Sequence, residues 1–423
     1  MGSSQGCGGH HGPPTDGSAR SAALDAVEHR STTRIIGPDA PCSPNIRSRR
    51  WAGVHGNCIL GAAGFIGRNL VVELLRRGHT VAAGFRGPAT RLTDWLDSES
   101  VDHRNLLTLD CDITHPNLGL DPIRSVRDVY NCAANMAFGL SEHQARLDNV
   151  TGALHVVDYT AALPEPRRLV HLTGYRAGMR GVEGASYAAG SYEASKLEAD
   201  AVVRRRATEL DVPLTVANPS SVIGKGQYFG LTDLVRNLHR GRLLAIPGRR
   251  DSFVPVVDVE YLAAFLVSLP EHADTLGATY NILDPTTPNL PELVALLAAH
   301  LGVKAPRRTV PVGVVSRLPR FLTHADPEAL GFISSDRYDT TTTEAHARNI
   351  GLTMPPSRRP CMPGPITSSP PTSARTRKAC EKSRPANHPC RVSRGSTWPR
   401  GRLEDQRAEI ISGRHLAAGS ARS

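Results

Sequence analysis

Tyr192 and Lys196 lie four positions apart in a stretch with helical spacing, so both side chains project from one face of the helix. A tyrosine phenol has a pKa of about 10 and is a poor acid at neutral pH, but an adjacent ammonium group and an oxidised nicotinamide ring would lower that pKa. Such a phenol can give or take a proton at a carbonyl oxygen while hydride moves at the carbon. The alternative is an exposed helix on which Tyr and Lys meet by chance, because this spacing is common.

A glycine-rich turn at Gly61, Gly64 and Gly67 has the spacing of a pyrophosphate-binding loop. The first glycine permits a tight turn, the second lets the backbone approach the phosphates, and the third lets a helix pack closely on a strand. The free N–H groups of the first helical turn and the helix dipole both favour a bound anion. The apolar run over 54–60 and the helical spacing over 66–78 predict the required strand and helix on either side.

The elements that must position these residues alternate along the chain. Strands are predicted at 54–60, Thr80–Phe85, Leu106–Leu109, Val126–Ala133, Leu169–Leu172 and Leu214–Ala217. Helices over Asp148–Ala162 and Tyr192–Glu209 lie between them. The alternation predicts an α/β fold with a doubly wound parallel sheet of the Rossmann type, whose ligands bind at the carboxyl ends of the strands.

Composition divides the chain into a body and two extensions. The body, residues 51–350, comprises a sheet region of about 54–218 and a smaller C-terminal substrate lobe of about 219–350, which includes an amphipathic helix at Pro291–Leu301. Residues 1–50 lack apolar periodicity and are interpreted as disordered or as an extension translated from an upstream start. Residues 357–423 are interpreted as a disordered tail or an out-of-frame continuation.

The net charge of +10 arises mainly in the tail, where residues 357–423 contain 14 Lys and Arg against 4 Asp and Glu. Residues 51–356 contain 30 basic against 32 acidic residues, a net charge of −2. We therefore expect the body to lack a basic groove of the kind that binds nucleic acid, and to have a small-molecule partner instead.

The eight cysteines form no C-x-x-C pair, so neither a metal site nor a disulfide framework is predicted, in keeping with a reducing cytosol. The longest apolar run, Tyr261–Leu269, is half of the roughly 18 residues that a membrane span needs. The N-terminus lacks an apolar signal core. We expect a cytoplasmic protein that contacts no membrane.

The order of these motifs over about residues 54–345 resembles an extended short-chain dehydrogenase/reductase of the NAD-dependent epimerase/dehydratase type. The matching segments are Gly61/Gly64/Gly67, Asp112-Ile113, Asn131-Cys132-Ala133-Ala134, Asn149-Val150-x-Gly152, Thr173 at a strand end, Tyr192/Lys196, Asn218-Pro219-Ser220-Ser221-Val222-Ile223-Gly224, and Val254-Pro255-Val256-Val257-Asp258-Val259.

The resemblance implies a role for each catalytic candidate. Tyr192 would be the general acid/base, and Lys196 would bind the nicotinamide ribose and tune Tyr192. Thr173, where the family usually has serine, would hold the substrate oxygen, and Asn149 would anchor a proton-relay water. The alternative for Thr173 is a buried β-branched strand residue. Asp258 is better explained as the cap of the following helix.

The resemblance also implies the cofactor contacts, with Asp112 accepting a hydrogen bond from the adenine amine, Ile113 packing on the ring, and Pro219 and Val222 positioning the nicotinamide. The full set is Gly61, Gly64, Phe65, Ile66, Gly67, Arg86, Asp112, Ile113, Ala133, Ala134, Lys196, Pro219 and Val222. The second strand ends at Arg86 with no carboxylate before Asp94. An arginine there accommodates a 2′-phosphate, so NADP is favoured over NAD, with Arg68 as a second candidate contact. Arg86 is equally compatible with a solvated surface arginine.

Candidate substrate-facing residues follow the strand ends or lie in the lobe: Met136, Phe138, Tyr175, Arg176, Tyr228 and Phe229. Their aromatic and apolar character suits an apolar or acyl substrate, because a nucleotide sugar would need several cationic contacts to its diphosphate. Each is equally compatible with ordinary packing inside the lobe.

The segment 218–224 resembles the branch that contains dihydroflavonol and cinnamoyl-CoA reductases and thioester-reductase-like proteins. The resemblance implies NADPH-dependent reduction of a carbonyl or acyl thioester. A redox-neutral epimerase or dehydratase that keeps its nicotinamide bound is one alternative, and a non-catalytic NADP-binding regulator is another. Family members often dimerise through helices like those at 148–162 and 192–209, which leaves a homodimer open.

Overall fold

The computed structural model describes residues 56–177, 186–227, 231–319, 323 and 326–355. Both extensions predicted from composition lie outside these ranges, as do Tyr228 and Phe229. The strands, in chain order, are β1 Gly56–Leu60, β2 Thr80–Phe85, β3 Leu106–Asp110, β4 Val126–Asn131, β5 Arg168–Leu172, β6 Leu214–Pro219, β7 Ser221–Ile223, β8 Ile246–Pro247, β9 Val256–Asp258, β10 Thr279–Ile282 and β11 Thr309–Val310.

The helices enclose the sheet and build the lobe. In chain order they are α1 Phe65–Arg76, α2 Thr90–Ser98, α3 Glu142–Ala145, α4 Gly152–Ala161, α5 Ser191–Glu209, α6 Leu231–His239, α7 Val259–Ser268, α8 Leu290–Leu301, α9 Val312–Val315, α10 Pro327–Leu330 and α11 Thr341–Asn349. A π turn at Arg146–Thr151 joins α3 to α4, and 3₁₀ turns occur at Pro116–Gly119, Leu269–Glu271 and Ala273–Thr275.

Seven strands form one parallel sheet in the order β10-β6-β5-β4-β1-β2-β3. The order runs outward from β1 in one direction to β3 and in the other from β4 to β10, so the switch point lies between β1 and β4. A ligand crevice opens at such a point, outside the carboxyl ends of the strands. The predicted doubly wound α/β fold is confirmed.

Helices cover both faces of the sheet, which explains why β1 is buried throughout. On one face Leu70 and Leu74 of α1 pack with Phe265 of α7. On the other face Val156 of α4 packs with Val203 of α5. The two faces together form the core that fixes the strand ends around the crevice.

The predicted second strand is confirmed at Thr80–Phe85, and the third to sixth strands agree to within two residues. The seventh strand of the sheet, Thr279–Ile282, was missed and lies within the range 219–350 that the sequence assigns to the lobe. It pairs with β6 alone and alternates partly exposed Thr279 and Asn281 with buried Tyr280 and Ile282. Four residues with only two buried side chains give too weak a sequence signal.

The helix predicted at Asp148–Ala162 is confirmed, but helical structure begins earlier, at Glu142, and contains a π turn. Ser141 caps α3 by accepting a hydrogen bond from the Gln144 backbone N–H at 3.2 Å. The π turn that follows carries Asp148 and Asn149, and α4 starts only at Gly152. Single π turns within helices occur frequently at functional sites.

The lobe has a small core of its own, in which Leu238 of α6, Ile246 of β8 and Val294 of α8 are buried together. The predicted helix at Pro291–Leu301 is confirmed with a start one residue earlier. Asp258 caps α7 as predicted, since its carboxylate accepts hydrogen bonds from the N–H groups of Glu260 and Tyr261.

Candidate active site

A cleft of about 1130 Å³ runs from the carboxyl ends of the strands into the lobe. All thirteen predicted cofactor residues line it, together with Thr173 and Tyr192. Of the predicted substrate residues, Met136, Phe138, Tyr175 and Arg176 line it. Asn149 does not.

The glycine turn leaves no room for a side chain at Gly61 or Gly67. Gly61 has a φ of +79°, and a Cβ there would lie 2.8 Å from the backbone of Ala133. A Cβ on Gly67 would lie 2.2 Å from the Gly61 carbonyl oxygen. Gly64 is the N-cap residue of α1, and among the described residues no side chain caps this end of the helix. The N–H groups of the first turn are therefore left for a ligand.

At the far side of the turn, Asp112 and Arg86 form a pair. One carboxylate oxygen of Asp112 accepts hydrogen bonds from the Thr114 N–H at 2.9 Å and hydroxyl at 2.8 Å, and the other lies 3.5 Å from Arg86 Nη1. Burial works to raise the pKa of Asp112, but the Thr114 hydrogen bonds and the Arg86 charge outweigh it and hold that pKa below its usual value.

The adjacent Ile113 packs its side chain against Gly152, where a Cβ would lie 2.7 Å from the Ile113 Cδ1. His155 Nδ1 lies 2.9 Å from the Ile113 carbonyl oxygen. The first residues of α4 therefore contact both the side chain and the backbone of Ile113, next to Asp112.

Two arginines line this part of the cleft, Arg86 directly after β2 and Arg91 in the first turn of α2. Arg86 has a side chain that is 68% exposed, and Arg91 also lines the cleft. Arg68, the second sequence candidate for a phosphate contact, is engaged elsewhere: it donates to the Gly226 carbonyl, and its guanidinium lies 3.9 Å from the centre of the Trp95 ring. Arg91 therefore lines the cleft together with Arg86, whereas Arg68 does not.

Tyr192 and Lys196 occupy the first turns of α5, beside the end of β5. Lys196 Nζ donates to the Leu172 carbonyl at 2.8 Å, and burial lowers the pKa of Lys196 to about 8, although the negative charge of Asp200 works to raise it. Burial also raises the pKa of Tyr192 to about 12, with added repulsion from the carboxylates of Glu328 and Glu193.

The Thr173 hydroxyl donates to the side-chain oxygen of Asn218. Asn218 Nδ2 donates to Asn281 Oδ1 at 3.1 Å, and Asn281 Nδ2 donates to the Asp339 carbonyl at 2.9 Å. A chain of side-chain amides therefore links the cleft to the loop before α11.

Asn149 lies behind the cleft wall, only 3% exposed. Its Oδ1 accepts from the Asn135 N–H at 2.7 Å, and its Nδ2 donates to the Asn135 carbonyl at 3.1 Å and to Ser195 Oγ at 2.9 Å. In this arrangement the amide holds the loop after β4 against α5. Both hydrogens of the Asn149 amide are donated to protein groups in this arrangement. The predicted contact of Asn149 with a water molecule stays a prediction.

Aromatic rings surround Tyr192 at the lobe side of the cleft. The centre of the Tyr192 ring lies 6.0 Å from the centre of the Phe138 ring, in an edge-to-face contact, and 6.2 Å from that of Phe332. The ring centres of Tyr175 and Tyr338 lie 4.9 Å apart. Pairs at these separations are attractive beyond their buried area.

Arg176 is buried and held by protein groups. Its Nε lies 2.9 Å from Glu193 Oε1, its Nη1 donates to the Gly331 carbonyl, and its guanidinium lies 5.4 Å from the Phe332 ring centre. A substrate contact by Arg176 stays a prediction, but its positive charge is already paired inside the protein. Met136, by contrast, is 42% exposed at the cleft.

A model of the NAD dependent epimerase/dehydratase family matches residues 58–282, more than half of the chain. The chain belongs to this family. None of the curated proteins compared with it matches in sequence.

Solved structures with the same fold include proteins of several activities. The terminal R domain from the myxalamid PKS-NRPS biosynthetic pathway is 20% identical, with 72% of this chain and 87% of that chain covered and a TM-score of 0.58. A thiolation-reductase di-domain from an archaeal non-ribosomal peptide synthetase is 13% identical, covering 73% and 74%, with a TM-score of 0.55. A UDP-glucuronic acid 4-epimerase from Bacillus cereus, solved with NAD, is 17% identical, covering 60% and 86%, with a TM-score of 0.51. These likenesses establish the fold alone.

This member of the epimerase/dehydratase family carries site residues that sequence reasoning missed. Asn135 and Ser195 are the partners of Asn149, and Phe332 lies against Tyr192. Glu328 accepts a hydrogen bond from the Tyr192 backbone N–H across 136 positions of sequence. No local pattern could have found Glu328 or Phe332, because only folding brings the lobe to α5.

Within the described ranges, no helix is long and apolar enough to cross a membrane. In the same part of the chain, no group of three His, Cys, Asp or Glu side chains could hold a metal ion. Cys58, Cys111 and Cys132 are free thiols, and burial raises the pKa of each.

Proposed function

We propose that this protein is an NADPH-dependent reductase that acts on a carbonyl or acyl-thioester substrate. The observation that carries the proposal is the sharing of one cleft by Tyr192, Lys196 and Thr173 with the glycine turn 61–67, next to an aromatic wall. The cleft thus combines a dinucleotide-binding turn, a proton donor and an apolar substrate surface.

The glycine turn fits the pyrophosphate of a dinucleotide, because Gly61 and Gly67 have no room for a side chain and α1 begins without a side-chain cap. Asp112 and Ile113 would bind the adenine, and Pro219 and Val222 would support the nicotinamide. When bound, NADPH supplies the hydride that goes to the carbonyl carbon.

Tyr192 then donates its proton to the carbonyl oxygen, while Thr173 holds that oxygen and Lys196 contributes a positive charge. The pKa of about 12 keeps Tyr192 protonated at neutral pH, which suits the reductive direction. A pKa below 10, as the sequence suggested, would require the charges of Lys196 and of the oxidised nicotinamide, because the surrounding protein groups raise it.

NADP is the proposed cofactor on the strength of Arg86, directly after β2, and Arg91, in the first turn of α2, which both line the cleft. NAD-dependent proteins of this fold use a carboxylate there to bond the ribose hydroxyls. This chain has Phe85-Arg86-Gly87 at that position, and a 2′-phosphate would find a cationic partner in Arg86.

The lobe end of the cleft supports an acyl substrate. Its apolar lining includes Leu231, Leu234, Leu243, Leu244, Val310, Val315, Leu318 and Ile333. Arg176 is neutralised by Glu193, and Arg242 is the arginine that lines the cleft among the described lobe residues. A nucleotide sugar would need more positive charge around its diphosphate. The shared fold of the thiolation-reductase di-domain supports a thioester as one form of the substrate.

A redox-neutral epimerase or dehydratase is the second candidate. It is supported by the family itself and by the fold shared with the NAD-bound UDP-glucuronic acid 4-epimerase. Such an enzyme would keep its nicotinamide through purification and consume none of it.

The test is NADPH consumption by the purified protein with a panel of ketones, aldehydes and acyl-CoA thioesters, with NADH in parallel. We expect oxidation of NADPH with at least one substrate class. Absence of consumption together with a co-purifying nicotinamide would favour the epimerase or dehydratase. NADPH binding without turnover of any kind would favour a regulator.

Tyr192→Phe should then lower kcat by roughly 10²- to 10⁴-fold and leave the Kd for NADPH nearly unchanged. Tyr187→Phe is the matched control, because Tyr187 donates its hydroxyl to Glu198 away from the cleft lining. Equal losses of turnover and NADPH binding in Tyr192→Phe would contradict the proton-donor role.

A further inference from the structure

A carboxylate from the lobe caps the helix that carries Tyr192. Glu328 Oε1 accepts a hydrogen bond from the Tyr192 N–H at 2.7 Å and a longer one from the Glu193 N–H at 3.4 Å. Its Oε2 accepts from the Gly139 N–H at 3.1 Å. The N-terminal N–H groups of a helix need such a partner, and Gly190 at the start of α5 has no side chain to provide it.

The contact depends on close approach and on a fixed carboxylate. A Cβ on Gly190 would lie 2.8 Å from Glu328 Cγ and Oε1, so any larger residue there would displace the Glu328 side chain from its present position. Asp326 in turn caps α10 by accepting from the Glu328 N–H at 2.9 Å. Glu328 is 9% exposed, so water does not compete strongly for its oxygens.

The residues just after Glu328 reinforce the contact. The Phe332 ring lies 6.2 Å from both the Tyr192 and the Phe138 ring centres. The Gly331 carbonyl accepts a hydrogen bond from Arg176, which pairs with Glu193. The segment 328–332 therefore contacts both the first turn of α5 and the loop that carries Phe138.

We propose that Glu328 is a positioning residue for Tyr192: its carboxylate fixes the first turn of α5 and the Gly139 loop to the lobe, and so sets where the Tyr192 phenol and the Phe138 ring stand in the cleft. The inference deepens the proposed function and rests on it for the kinetic test. Its consequence is that the lobe, which receives the substrate, and the proton donor move as one unit.

The alternative is a helix cap that affects only stability, and the cap of α7 offers a control for it. Asp258 caps α7 with the same two-bond pattern, at 2.9 Å and 3.0 Å, but it lies outside the cleft lining. Glu328→Ala and Asp258→Ala should both lower the melting temperature. Only Glu328→Ala should lower kcat, by roughly tenfold to a hundredfold, because small displacements of a catalytic group are costly.

Two further measurements make the test specific. Glu328→Gln keeps the size and one acceptor oxygen but cannot accept at both positions, so its kcat should fall less than that of Glu328→Ala. The Kd for NADPH should not change in either variant, because the glycine turn binds the cofactor. In hydrogen exchange of the unliganded protein, the amides of Gly139 and Tyr192 should lose protection in Glu328→Ala and keep it in Asp258→Ala.

The outcomes separate the two proposals. Absence of any wild-type reductase turnover would remove the proposed function, and the exchange measurement would still decide whether Glu328 fixes the helix and the loop. Wild-type turnover with kcat unchanged in Glu328→Ala, or reduced no more than in Asp258→Ala, would overturn the positioning role. Unchanged protection of Gly139 and Tyr192 would overturn it as well.

Discussion

The hydroxyl of Thr173, at the end of β5, donates its hydrogen bond to the side-chain oxygen of Asn218 on the neighbouring strand β6. A threonine hydroxyl has one hydrogen to donate. Thr173 can therefore hold a substrate carbonyl oxygen only when it releases Asn218, and the substrate must compete with an internal acceptor.

If Thr173 holds the substrate oxygen during reduction, Thr173→Val should lower kcat by roughly 10²- to 10³-fold, because it removes a donor to the developing oxyanion. Thr173→Ser is the matched control and should retain most of the activity. The comparison is made from steady-state kinetics with the best substrate of the panel. Equal activity of the Val and Ser variants would show that the hydroxyl serves the Asn218 contact alone.

The rate of reduction should fall as the pH rises through about 8. Burial lowers the pKa of Lys196 from 10.5 to about 8, so its positive charge is complete below that pH and is lost above it. Tyr192, with a pKa of about 12, stays protonated over this range and cannot cause the decrease. The measurement is kcat against pH.

A charge change near Lys196 tests the origin of that decrease. The Asp200 carboxylate raises the pKa of Lys196, so Asp200→Asn should move the decrease in kcat to lower pH. Asp158→Asn is the control, since Asp158 pairs with Arg206 instead. A pH profile that is the same in all three proteins would exclude Lys196 as the titrating group.

Arg86→Ala should raise the Kd for NADPH by roughly 10- to 100-fold and leave the Kd for NADH nearly unchanged, because a charge-assisted contact to the 2′-phosphate is lost. Arg205→Ala removes an equally exposed arginine that is not part of the cleft lining and should change neither value. Tight NADH binding by the wild type, with no preference for NADPH, would contradict the assignment of Arg86.

Gly67→Ala should lower the free energy of unfolding by about 3 kcal/mol and abolish dinucleotide binding. Its Cβ would lie 2.2 Å from the Gly61 carbonyl oxygen and 2.9 Å from Ala62 Cα, and both are backbone atoms that cannot turn away. Gly313→Ala in α9 is the control, because its nearest neighbour is a flexible arginine tip at 3.9 Å. Thermal unfolding and NADPH titration measure the two effects, and an unperturbed Gly67→Ala protein would contradict the close packing of α1 on the turn.

Much of the fold could be predicted because its signals are local. The buried strand Thr80–Phe85 is an apolar run that is recognisable in isolation, and so is the spacing of Gly61, Gly64 and Gly67. The four-residue spacing of Tyr192 and Lys196 on one helix likewise needs no tertiary contact. The edge strand at Thr279–Ile282 escaped because it is short and half polar, and only its partner β6 defines it.

The sequence by itself determined the α/β class, the glycine turn and which residue types could transfer a proton, since periodicity and backbone freedom are properties of a few consecutive residues. Only the tertiary structure decided what those residues contact. It directed Thr173 to Asn218, buried Asn149 behind the wall, paired Arg176 with Glu193 and brought Glu328 to the start of α5. The reason is physical: hydrogen bonds and ion pairs between segments far apart in sequence exist only after packing has set their distances.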